Sequence, residues 1–343
     1  MSDPQTTNRR FWTVLSPMPA PLLTPLAQLT ESRGVHGIFV PQVYGPPFVT
    51  LAAIAAVTER VQLASGIAIA PVRSPFETAM AAIDLDRISN GRFILGLGTS
   101  VHAWTSGVFG TPKYKPVSHL RETIAAVRHI VKGAHKGLTP FEGEYYCADF
   151  RELQPSQPPL REDIPIWIAA LRAPLVRLAA EVGDGLIGHP MWSVEWAIEQ
   201  MQPAFTAALT AAGRRREQVE VNLWPWVAPN DNEAEAIDDA RPTMAFYGGV
   251  KQYAPFFEAH GFGAVARQLQ AGVQRGDYLG VAHLVPDEMV RAFVAVGTPE
   301  KVRARVERLW TFADSLCPVA PVYALSFEKL ATYSQKIAET FGA

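Results

Sequence analysis

Residues 91–100 read GRFILGLGTS: a polar turn, an apolar run, then two glycines one residue apart. A strand ending in Gly-x-Gly raises the question of a dinucleotide fingerprint, which needs G-x-G-x-x-G running straight into a helix. Gly96 and Gly98 fit, but the third position is Val101. Residues 102–116, with two prolines, Trp104 and Tyr114, read as a loop instead of a helix. The run is better explained as one strand of a larger repeat. Gly96 then makes room for a neighbour inside the sheet, and Gly98 either does the same or lets a flat ring approach the strand end.

Outward from this stretch, short apolar runs alternate with helical patterns. Candidate strands cover residues 11–15, 37–40, 61–69, 92–98, 164–169, 185–188, 219–227 and 319–325. Most are continuous apolar runs, as in parallel strands buried on both faces. Ser74-Pro75-Phe76-Glu77 is a capping box with proline at the first helical position, and Asn90-Gly91 is the stop. Phe76, Met80 and Ile83 form an apolar stripe on that helix. Ser118, Pro174 and Thr298-Pro299 open further helices. Strand, loop and helix repeated eight times predict an α/β fold, a (β/α)8 TIM barrel in a single domain over residues 1–343. Two segments break the rhythm: a long loop at 99–117, and an insertion at about 234–290 between strands seven and eight. Long insertions at strand C-termini commonly build or cover an active site.

Composition narrows the class. Lysine plus arginine number 31 against 33 acids, and no basic tract stands out, so no nucleic-acid partner is expected. Two cysteines, Cys147 and Cys317, cannot make a disulfide framework or a metal cluster alone, and no metal is expected. The N-terminus lacks a signal-like apolar region and no 18-residue apolar stretch follows, which predicts a cytoplasmic protein without membrane partners.

Several segments together resemble the luciferase-like monooxygenase superfamily of flavin and deazaflavin barrels. TERVQLASGIAIAPVRSPFETAMAAIDLDRISNGRFILGLG, residues 58–98, looks like that family's third strand, third helix and fourth strand. LRETIAAVRHIVKG, FEGEYY and IPIWIAALRAPLVRLAAEVGDGLIGHP follow in the family's order. AFYGG, HGFG and VPDEMVRAFVAVGTPEKVRARV look like the subgroup assigned to coenzyme F420-dependent oxidoreductases.

The resemblance implies a site. A non-proline cis peptide that supports the cofactor ring matches Gly66–Ile67. Gly98 and Thr99 match the end of strand four. Ala170, Leu171 and Arg172 match a backbone phosphate site at a helix start, and Gly188 and His189 a second stretch of cofactor lining. Arg73, Lys113 and Lys115 would suit an anionic cofactor tail. Two departures stand out. The family's acidic residue and histidine after strand two are replaced by Pro41-Gln42-Val43, and its glutamate after strand four by Val101. His102 is the nearest titratable replacement and the candidate catalytic residue. Trp12, Tyr44 and Trp104 are candidate substrate-pocket residues.

These readings imply hydride transfer between coenzyme F420 and a small organic substrate. FMN with dioxygen in a monooxygenase, or a flavin-binding barrel without turnover, are the alternatives. The resemblance further implies a homodimer through helices flanking the early strands, with the alanine-rich residues 51–57 permitting close packing.

Overall fold

The computed structural model describes residues 9–342. Its strands are β1 (Arg10–Val14), β2 (Gly37–Val40), β3 (Gln62–Ser65), β4 (Ala68–Ile69), β5 (Phe93–Gly98), β6 (Phe141–Glu142) and β7 (Cys147–Ala148). They continue with β8 (Ile166–Ala170), β9 (Gly185–Gly188), β10 (Glu220–Leu223), β11 (Trp226–Pro229), β12 (Val294–Gly297) and β13 (Ser315–Leu316). The main sheet runs β3-β2-β1-β13-β10-β9-β8-β5-β4, and β3 also pairs with β5, joining the two ends of the order. With β3 and β4 as two parts of one strand, this is the strand order of a (β/α)8 barrel.

Packing divides the described residues into two compact units: residues 12–187 with 204–221, and residues 9–11 with 188–203 and 222–342. In the first unit the helix Pro75–Ile88 begins as its sequence dictates, the Ser74 hydroxyl accepting the Glu77 N–H at 3.1 Å. It ends where Asn90 and Gly91 take φ of 54° and 80°, conformations that asparagine and glycine tolerate best. The expected stripe is displaced. Ile83 is buried, but Thr78, Ala79, Ala82 and Leu85 complete the inward face, with Phe76 and Met80 at its edge.

Strand β5 is buried at every residue. Burying Phe93, Leu95 and Leu97 contributes about 2–3 kcal/mol each. Arg92 anchors the strand's entry by donating to the carbonyls of Ser89, Val61, Ala55 and Thr58. A buried guanidinium is tolerable only because its donors are met in this way.

Three sequence expectations change. The segment 99–117 is not all loop: His102–Thr105 forms one helical turn, and the next helix starts at Pro116. The strand expected over 219–227 breaks at Trp224-Pro225 into β10 and β11. In the second unit, the eighth position belongs to β13, not to residues 319–325. Pro318 just before that run and Pro321 within it lack the N–H a ladder needs, and Ala324 has φ of 63°. Only Val319 bridges, to Trp226. β11 instead pairs in parallel with β12, a strand the reading missed because VAVG is so short. The insertion is helical as expected, with Glu233–Gly249, Ala254–Ala259, Gly263–Gln274 and Asp287–Phe293.

Candidate active site

The two glycines of FILGLG find their reason in the neighbouring strand. Between β3 and β4 the chain bulges at Gly66–Ile67, whose peptide bond is cis, as the resemblance implied. A Cβ on Gly96 would lie 1.8 Å from the Ser65 carbonyl oxygen, and one on Gly98 would lie 2.9 Å from Ile67 Cγ1. Alternate residues of a strand share a face, so Gly96 and Gly98 together receive the bulge: one its backbone, the other its side chain. Ser65 Oγ donates to the Gly96 carbonyl at 2.8 Å and accepts the Gly96 N–H at 2.9 Å. On the other side Gly66 lacks the Cβ that would meet Phe39 Cδ1 at 2.8 Å, and its N–H donates to the Val40 carbonyl at 2.9 Å.

Gln42 brackets the bulge from the end of β2. Its N–H donates to the Ile67 carbonyl at 3.3 Å. Its Oε1 accepts from the Ile69 N–H and from Arg73 Nη2, both at 2.9 Å. Two donors on Oε1 fix the carboxamide's orientation. Arg73 lies 5.1 Å over the Phe48 ring, and its Nε is buried without a partner.

Beyond β5, Ser100 takes φ of 55° and turns the chain into the helical turn His102–Thr105. Tyr114 ties this loop back: its hydroxyl donates to the Thr99 carbonyl at 2.8 Å and bonds Thr105 Oγ1 at 3.1 Å. Burial raises the Tyr114 pKa, so it stays a donor. The Thr99 hydroxyl donates to the Ser100 carbonyl. His102 is exposed, its ring 4.7 Å from that of Tyr114. Tyr44 and Trp104 come together, rings 5.7 Å apart, with Tyr44 largely exposed. Trp12 does not join them. It is 2% exposed, packs 4.4 Å from Phe39 and 5.2 Å from Trp167, and occupies the space a Cβ on Gly37 would need.

At the end of β8, Ala170 is buried and Arg172 is the exposed N-cap of the helix Ala173–Val182. No side chain caps that helix and no acid sits in its first turn. Its positive end is therefore not neutralised locally, which suits an anion. A cleft of about 580 Å³ opens at the opposite, N-terminal ends of β8 and β9. Its arginines are committed: Arg128 to the Val182 carbonyl and Asp184, Arg214 to the carbonyls of Ala180 and Gly183. Barrel chemistry sits at strand C-termini, so this cleft is structural.

In the second unit, a Cβ on Gly188 would meet Leu223 Cδ2 at 2.6 Å. Next to it, His189 Nδ1 accepts the Met191 N–H at 3.1 Å, and Nε2 lies 3.4 Å from the Tyr253 hydroxyl. Burial lowers the His189 pKa to about 4, so the ring is neutral at pH 7. Since Nδ1 accepts, the proton resides on Nε2 and is donated to Tyr253. Tyr247 stands 5.0 Å from Tyr253 and 4.9 Å from Trp226, and burial, followed by its tyrosine neighbours, raises its pKa well above the usual value. The sequence reading took Tyr247 and Tyr253 as part of the insertion and matched AFYGG to the resembling subgroup, without a role for either tyrosine. The signal there was the glycine pair: Cβ atoms on Gly248 and Gly249 would meet Leu269 at 2.6 Å and Val273 at 2.1 Å. The pair lets the helix Gly263–Gln274 press close behind the tyrosines.

Among the described residues no group of histidine, cysteine or carboxylate side chains could hold a metal, and no helix is long and apolar enough to cross a membrane. The profile of luciferase-like monooxygenases matches residues 7–313. An uncharacterized Mycobacterium tuberculosis protein is 32% identical over 84% of this chain and 87% of its own. A second protein of that organism, named provisionally as a coenzyme F420-dependent oxidoreductase, is 31% identical over 82% of this chain and 85% of its own. The solved coenzyme F420-dependent tetrahydromethanopterin reductase from Methanopyrus kandleri superposes with a TM-score of 0.79, covering 98% of this chain and 100% of that one at 21% identity.

Proposed function

Because the chain belongs to the luciferase-like monooxygenase family, we propose that it is an oxidoreductase working with coenzyme F420 on a small organic substrate. The observation that carries this reading is the bracketed bulge between β3 and β4, held by Gln42 and received by Gly96 and Gly98. It is a rigid cradle at a strand C-terminus, built at the cost of three side chains. The name of the 31% identical relative favours F420 over FMN.

The residues fit a deazaflavin. Gly66 and Ile67 are proposed to support the ring, with Gly98 and Thr99 beside it. Ala170, Leu171 and Arg172, ahead of an uncapped helix start, are proposed to hold a phosphate. Arg73, Lys113 and Lys115 are proposed for the anionic tail. Gly188 and His189 are also proposed as cofactor lining. A bound deazaflavin would supply the hydride chemistry. The chain's part is to orient, to exclude water and to manage protons. His102, exposed to solvent, is proposed as the catalytic residue, and Tyr44 and Trp104 to shape the substrate side; Trp12 instead packs in the core against Phe39 and Trp167. A homodimer is also proposed, supported by the exposed stripe Leu22, Leu26 and Leu29 on the helix Ala20–Ser32. A cytoplasmic location belongs to the same reading.

Titration of the protein with F420, followed by cofactor fluorescence, tests the proposal. Saturable binding near one equivalent per chain is expected. No binding at high micromolar protein overturns it, and dioxygen uptake with reduced FMN would make the chain a flavin monooxygenase.

A further inference from the structure

Arg73 differs from the other arginines that sit partly or wholly inside the protein. Arg92 uses its donors on backbone carbonyls and the Thr58 hydroxyl. Arg161 holds Asp86 and the Phe93 carbonyl, and Arg214 the carbonyls of Ala180, Gly183 and Gln218. Arg73 makes a single hydrogen bond, from Nη2 to Gln42 Oε1 at 2.9 Å. Among the described residues it has no ion pair and no carbonyl partner. Glu77, in the first turn of the next helix, acts on it only through space and is itself exposed. A guanidinium stays charged at neutral pH, so this is a half-buried cation whose counter-charge the chain does not supply.

The group is nevertheless fixed. Gln42 Oε1 is itself pinned by the Ile69 N–H, so the arginine is set relative to the bulge at Gly66–Ile67. The Phe48 ring covers one face, 5.1 Å from the guanidinium carbon. Nε is shut away from solvent without a partner, whereas Nη1, equally without a partner, is not shut in. The open approach therefore runs to the Nη1 edge, in the guanidinium plane. A planar acceptor with one negative charge suits that edge, which describes a carboxylate. A phosphate dianion would bring more charge than one guanidinium balances.

We propose that Arg73 is a specificity-determining carboxylate receptor, held by Gln42 and Phe48 and engaging its ligand through Nη1. The inference rests on the reading of the chain as an enzyme with its site at the bulge. Two molecules could bring the carboxylate there: the substrate, as a small organic acid, or the anionic tail of the cofactor.

The test titrates benzoate, its neutral analogue benzamide and inorganic phosphate into the full chain by calorimetry, first without cofactor. Benzoate is expected to bind about tenfold more tightly than benzamide, the scale of one hydrogen bond to a charged group. Two variants remove that preference and leave benzamide binding unchanged: Arg73→Gln, which lacks the charge, and Gln42→Glu, which sets the chain's own carboxylate against Arg73. Should Arg73→Gln not fold, the wild type and Gln42→Glu still decide. Equal wild-type affinities, no binding of either ligand, a preference that survives either variant, or phosphate binding tighter than benzoate each overturn the proposal. The benzoate titration is then repeated with saturating F420 and with a deazaflavin that lacks the tail. Benzoate binding retained with both makes the substrate the carboxylic acid, and binding lost with F420 alone gives Arg73 to the tail. Loss with both means that the ring itself covers Arg73, and overturns the proposal. Failure of F420 to bind would refute the cofactor reading, while the cofactor-free comparison still decides this one.

Discussion

Replacing Gln42 with leucine removes the bracket from the bulge while nearly preserving side-chain volume. Two donors lose their acceptor: the Ile69 N–H and Arg73 Nη2, each 2.9 Å from Oε1. Ile69 is 3% exposed, so water does not readily replace the lost bond, and a buried unsatisfied N–H costs about 1–3 kcal/mol. Arg73 is half-buried and can recover part of its hydration, adding about 0.5–1 kcal/mol. The expected destabilisation is therefore about 1.5–4 kcal/mol by urea denaturation, and under the proposed function F420 affinity falls with it because the cradle loosens. Gln42→Glu is the control. It keeps an acceptor for both donors and places a carboxylate beside Arg73, so its stability stays within about 0.5–1 kcal/mol of wild type. Leucine and glutamate variants of equal stability, or a leucine variant within about 0.5 kcal/mol of wild type, would refute the bracket.

The two glycines of β5 are expected to differ under the same substitution. Gly96→Ala sets a Cβ 1.8 Å from the Ser65 backbone oxygen, whereas Gly98→Ala meets the Ile67 side chain at 2.9 Å. Backbone cannot yield as a side chain can, so Gly98→Ala costs about 1–3 kcal/mol and Gly96→Ala more; equal unfolding midpoints would contradict the packing argument. His189 makes stability pH-dependent. Its pKa is about 4 when folded against an ordinary 6.5, so the unfolded chain takes the proton first. The contribution is intact above pH 6.5 and lost progressively toward pH 4, by up to about 3 kcal/mol before discounting the ring's open surface. His189→Asn flattens that slope, and an unchanged slope assigns it elsewhere. Paired Leu22→Glu and Leu29→Glu substitutions are expected to turn a dimer into a monomer in light scattering, and a wild-type monomer would refute the homodimer.

The repeat was legible because it is written in local signals. The Ser74 capping box, the Asn90-Gly91 stop and the buried runs of β5 and β8 depend on neighbours a few residues away. The eighth strand was misplaced because β13 has only Ser315 and Leu316, too few for any period to register, while the apolar residues 319–325 imitate a strand that Pro321 interrupts. The site was legible only by resemblance. Gly66–Ile67 was located by matching a motif, but no pattern in the chain says that Gln42 reaches forward to Ile69 and Arg73. The tyrosine cluster was hidden for the same reason. Tyr253 meets His189 across 64 residues, and such contacts carry no sequence periodicity.

The missing acids can now be understood position by position. At residue 42 the side-chain oxygen is already committed to one backbone N–H and one guanidinium. A titrating carboxylate there would change charge beside Arg73 each time it exchanged a proton, so the bracket would weaken as it worked. Glutamine keeps the bracket and gives up the titration. At residue 101 the chain has valine, and its backbone carbonyl accepts the N–H groups of Trp104 and Thr105 that start the helical turn carrying His102. Tyr114 and Tyr253, both with pKa raised by burial, remain protonated throughout the neutral range. Donors of this kind can orient an acceptor oxygen without releasing a proton to it. Their hydrogen-bonding capacity does not change between pH 6 and pH 9, a span that lies on one side of their titration. On this argument the chain has exchanged general acids for fixed hydrogen bonds at these positions, with His102 exposed on the helical turn beside Tyr114.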